Sequence, residues 1–139
     1  MFNHIIVDSE LLPIREAASH GDIDAMFTLA DSIVRGKQTS ASPEAASPII
    51  DAMFNHPDFR NDLQRFCNTY IMRTHYMELQ CDRGEISRKE YLSDSCDYLE
   101  MMIRAITAGS RQLWNLEQLQ ICLSWIEDSE EELAELEAG

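Results

Sequence analysis

The chain has 139 residues, 45% of them hydrophobic and only nine of them Gly or Pro (5 and 4), a composition that excludes a disordered or collagen-like polymer and allows a real core without disulfide or metal staples. Eleven basic residues against 25 acidic ones leave a formal net charge of −14, which opposes direct binding to nucleic-acid phosphate or an anionic membrane and makes a basic protein surface the natural partner. No apolar run approaches the roughly 18 residues of a membrane span, and Met1 to Val7 lack the basic region and apolar length of a signal peptide, so a cytoplasmic protein is expected.

In chain order, residues 1–11 read as a lead-in, with Ile5 and Val7 placed to cover one end of a core. Leu12 to His20 is the first predicted helix, stopped by Gly21, because glycine enters the left-handed conformation past a last helical turn without a Cβ penalty. Asp22 is placed to cap the next helix, Ile23 to Arg35, where Ile23, Met26, Phe27, Leu29, Ala30, Ile33 and Val34 recur at the helical period. Gly36 closes it. A two-residue break makes these helices neighbours, and Ala17, Ala18, Ala25 and Ala30 are small where they would touch.

The run Ala17-Ala18-x-x-Gly21-x-x-x-Ala25-x-x-x-Leu29-Ala30-x-x-Ile33-x-x-Gly36 resembles the core of a Sel-like repeat, the bacterial-abundant relative of the tetratricopeptide repeat. Ala30 stands where that family usually has glycine and Ile33 where it usually has tyrosine. The resemblance implies stacked helical hairpins that bind a protein or peptide partner.

A polar loop follows, then a short turn at Pro43 to Ala46 and a third helix from Pro48 to Asn55 with Ser47 as its cap. The spacing predicts one long helix from Asp58 to Arg83 with a single apolar stripe through Phe59, Leu63, Phe66, Cys67, Tyr70, Ile71, Thr74 and Met77, ended by Gly84. Ser87 and Glu90 are spaced as a capping box for a fifth helix to Ala108. Ala105, Gly109, Leu113 and Ile121 echo the offsets of the opening hairpin. The last helix, Arg111 to Leu136, is apolar on two sides: Leu113, Leu116, Leu119, Leu123 and Ile126 form one stripe, and Trp114, Ile121, Cys122 and Trp125 a second. Residues 127–139 form an acidic tail, read as a solvated helix end or as a docking segment.

The expected fold is therefore all-α, one domain over 1–139, with six helices as three antiparallel hairpins in an α/α repeat or a compact bundle. Cys67, Cys81, Cys96 and Cys122 are scattered singly without ligand spacing, and the acids near His4 and His20 accompany no nucleophile or phosphate cradle. No catalytic, cofactor or metal residue is assigned, and a non-catalytic interaction module is expected. The alternative is an acidic inhibitor or nucleic-acid mimic directed at a basic nuclease. Trp114, Ile121 and Trp125 are the candidate partner-binding residues, unless the fourth helix or the N-terminal segment covers them. A homodimer through the last helix is one form that contact could take.

Overall fold

The computed structural model describes residues 1–108 and 113–138, with side chains described over 1–108 and 117–138. It is all-α, with six helices among the described residues: α1 Leu12–Ser19, α2 Ile23–Arg35, α3 Ala46–Phe54, α4 Leu63–Asp82, α5 Arg88–Ala108 and α6 Leu113–Ala138. Among the described residues there is no named strand, only an isolated antiparallel bridge between Val7 and Thr39. The chain divides into two compact units, Met1–Arg65 and Phe66–Gly139.

The first unit is built from local signals that act as expected. Gly21, at φ 96°, closes α1, with the Gly21 N–H donating to Ala18 O and the Asp22 N–H to Ala17 O, both at 3.1 Å. Those bonds satisfy carbonyls that the last helical turn leaves open. Asp22 is extended, and its Oδ1 accepts from the Ala25 N–H at 2.9 Å, starting α2 one residue later. α2 packs on both α1 and α3, and Ala18, Ala25, Leu29, Ala30 and Ile33, small and large positions of the sequence pattern, are buried.

The lead-in wraps the end of α1. Phe2 and Ile5 are buried, the Phe2 N–H donates to Ser19 Oγ at 3.0 Å, and Arg15 Nη1 donates to Ile5 O at 2.8 Å. Val7 is half-buried, and Ile6 is exposed.

Two boundaries differ from expectation. α3 begins at Ala46, so Ser47 is an early helical residue and not a cap, and a 3-10 turn over Pro43–Ala45 leads directly into it. Pro48 sits in the first turn, where its missing N–H would have had no helical partner. α4 starts at Leu63 instead of Asp58: Phe59–Asn61 form a 3-10 turn, and Asp62, extended at ψ 114°, accepts from the Arg65 N–H at 3.0 Å. A second capping carboxylate four residues downstream took the start.

α3 packs on α2 within the first unit, and its Ala46, Ile49, Ile50 and Met53 are buried; α4 beyond Arg65 belongs to the second unit. Within the first unit, Arg65 Nε donates to Asp24 Oδ1 at 3.0 Å and Nη1 to Asp58 O at 3.1 Å. His56 accepts the Asp58 N–H at Nδ1, 3.0 Å, and lies 2.7 Å from Gly21 O through Nε2. An accepting Nδ1 leaves the proton on Nε2, so this neutral tautomer donates to Gly21 and ties the two turns together.

In the second unit, α4 is buried on two faces, not one. Of the expected stripe Phe66, Cys67, Tyr70, Thr74 and Met77 are buried, Leu63 and Ile71 are half-buried and Phe59 lies in the preceding 3-10 turn; Thr69, Met72 and Tyr76 are buried as well. Met77 packs with Tyr91 and Leu92 of α5, and Tyr70 lies 5.2 Å from Tyr98 between ring centroids. Ser87 Oγ accepts from the Glu90 N–H at 3.0 Å and caps α5 as its spacing implies. The echo of the opening hairpin turns on Gly109, which lies outside the described residues.

Candidate functional site

α6 pairs with α5, and the start of α5 lies beside the end of α6. Arg88 donates from Nε and Nη2 to the two carboxylate oxygens of Glu132 at 2.5 and 2.9 Å, and Lys89 Nζ is 3.9 Å from Glu137. This fork holds the Glu132 carboxyl below its usual range through its hydrogen bond to Arg88, and raises the Arg88 guanidinium correspondingly. The helix is continuous to Ala138, Ser129 is buried, and Leu133 packs against the cluster of Met77, Tyr91 and Leu92. Within the acidic segment Ser129 is buried and Glu132 and Leu133 are partly so, while Ala134 to Ala138 are exposed.

The core face of α6 runs between the two stripes of the sequence reading. Cys122 and Ser129 are buried and Leu133 partly so, while Trp125 and Ile126 are half-buried on either side. Leu123 is left 49% exposed from the first stripe and Ile121 53% from the second. At about 100° per residue, Cys122 lies roughly 100° around the helix from Ile121, and in this structure Cys122 is buried while Ile121 is not. Cys122, grouped with Trp114, Ile121 and Trp125 by spacing alone, therefore separates from them.

Ile121 and Trp125 do come together. They line an open groove of about 660 Å³ with Glu117, Gln120, Ser124 and Asp128. Trp114 lies in α6, but its side chain is outside the described residues. The four polar lining residues were legible only as neighbours at three- and four-residue steps around Ile121 and Trp125, a signal that carries weight once the core face is known.

α6 carries no Lys or Arg, and the basic residues at the start of α5, Arg88 and Lys89, face Glu132 and Glu137. Of the described residues that line the groove, Glu117 and Asp128 are acidic, Ile121 and Trp125 are apolar, and none is basic.

Glu10 accepts from Gln38 Nε2 at 2.6 Å. Burial pushes the Cys67 thiol up to about 12, with Cys122 adding to the shift. Burial is also the first cause that raises Cys96 and Cys122, and it disfavours the thiolate that a nucleophile or metal ligand needs. Among the described residues no group of three or more His, Cys, Asp or Glu side chains converges as a metal site, and no helix is long and apolar enough to cross a membrane. Comparison with protein-family models, with curated proteins and with solved structures found no match to this chain.

Proposed function

We propose that this protein is a non-catalytic interaction module whose α6 groove binds a protein or peptide partner with a basic surface. The observation that carries this reading is Ile121, 53% exposed beside Trp125 at the centre of an open groove. Large apolar side chains grouped in a concavity and rimmed by polar ones are the usual composition of a contact surface, and tryptophan is favoured where binding energy concentrates. The Sel-like or tetratricopeptide-like reading of the N-terminal hairpin is part of the proposal. It is supported by the burial of Ala18, Ala25, Leu29, Ala30 and Ile33 and by left-handed Gly21 and Gly36 at the two helix ends.

The test is a selection of helical peptides against the intact chain. Binders should lose about tenfold in affinity or more with Ile121→Ser, a change at an exposed position that leaves the core untouched. Binders indifferent to that substitution would remove this face as the site.

A second reading, an acidic decoy for the nucleic-acid site of a basic nuclease, draws on exposed Asp128, Glu131 and Glu135. Their steps of three and four residues rise about 4.5 and 6 Å along one side of α6. It has less support, because exposed carboxylates such as Glu16, Asp51, Asp82 and Asp97 are spread over both units. Inhibition of a basic nuclease that disappears on changing Asp128, Glu131 and Glu135 to glutamine would favour it.

A further inference from the structure

We propose that the occupant of the α6 groove is a cationic amphipathic helix, docked with apolar side chains against Ile121 and Trp125 and with Lys or Arg residues along the carboxylates of α6. This rests on the interaction reading above and names the chemistry of the partner.

The geometry fits a helix. From Glu117 to Asp128 the groove follows the surface of α6 for about 16 Å, roughly three turns, the length over which a docked helix presents anchors at i, i+3, i+4 and i+7. Its centre is apolar and its two ends are acidic, with Glu117 at one and Asp128 at the other. Glu131 and Glu135 extend the acidic edge beyond the groove on the same side of the helix.

Charge then selects among occupants. A neutral apolar helix would strip water from Glu117 and Asp128 and offer them no partner, whereas a basic one supplies charge-assisted hydrogen bonds. A second copy of this chain is disfavoured for the same reason. In an antiparallel pair of α6 helices Glu117 of one copy meets Asp128 of the other, and in a parallel pair the acidic edge meets itself. Like charges face each other across either interface.

The experiment titrates the full chain with three labelled synthetic helices of equal length, read by fluorescence anisotropy. One carries Leu on one face and Lys on the other, one carries Leu and Glu, and one has the Leu/Lys composition scrambled to destroy the apolar face. The Leu/Lys helix should bind at least about tenfold more tightly than the scramble, weaken as salt is raised, and lose about tenfold or more on Ile121→Ser and on Trp125→Ala.

If the Leu/Glu helix binds as well as the Leu/Lys helix, with the same sensitivity to Ile121→Ser, the groove is a docking site but the cationic inference is overturned. If the chain instead self-associates in sedimentation equilibrium and Ile121→Ser abolishes this, a second copy is the occupant. Leu/Lys binding that matches the scramble and ignores both substitutions reports charge alone, and overturns the groove reading together with the inference.

Discussion

Replacing Leu133 with alanine tests whether the acidic end of α6 belongs to the fold. Leu133 is partly buried against Met77, Tyr91 and Leu92, contributed by α4 and α5. Truncating a fully buried leucine costs about 2–5 kcal/mol through lost transfer energy and the cavity left behind. A partly buried side chain should show about half of that, roughly 1–2.5 kcal/mol. With a urea slope of about 2 kcal/mol per molar, the middle of the usual range, the midpoint should fall by roughly 0.5–1.2 M. Leu136→Ala is the internal control, because Leu136 is 45% exposed and its loss should stay within about 0.5 kcal/mol. Deleting residues 130–139 removes Leu133 and Glu132 together and should cost more than Leu133→Ala, whereas a solvated tail would come off without effect. Circular dichroism at 222 nm against urea measures all three variants. Equal midpoints for the parent, Leu133→Ala and the truncation would refute the packing of this segment, and equal losses at Leu133 and Leu136 would refute the face assigned to it.

Asp22→Ala removes the side-chain acceptor of the Ala25 N–H and should cost about 1 kcal/mol, measured as a lower urea midpoint; Asp22→Asn should recover most of it, because the amide oxygen accepts the same bond. The Cys67 thiol, held at about 12 in the fold, ionises near roughly 8.5 in an unfolded chain. Above that pH the unfolded state binds fewer protons than the folded one, so the stabilisation is complete below it and drains away as pH rises toward the folded value, by up to about 1.4 kcal/mol per pH unit. Denaturation at a series of pH values between about 9 and 11 should show a steeper loss for the parent than for Cys67→Ala, and parallel slopes would show that this thiol does not carry the effect.

Helix identity and several helix ends were legible from residues alone because they rest on chemistry within one turn. Gly21 stops α1, Asp22 caps α2, Ser87 caps α5 and Gly84 ends the fourth helix, with the Gly84 N–H bonding to Cys81 O at 3.0 Å. Where two local signals compete, the residues alone do not rank them: Asp58 and Asp62 are both plausible caps, and the extended backbone at Asp62 decides for the second. Partner choice lay further out of reach, because the apolar face of α3 carries no mark of which helix will cover it, and α2 does. The candidate site shows the same division. Trp125 and Ile121 were visible as an apolar pair, but α6 is apolar around much of its circumference, and a helical period then points to several faces at once. Only packing against Met77, Tyr91 and Leu92 orients the helix, and that rotation buries Cys122, leaves Ile121 in solvent and sets Glu117 and Asp128 at the ends of the groove.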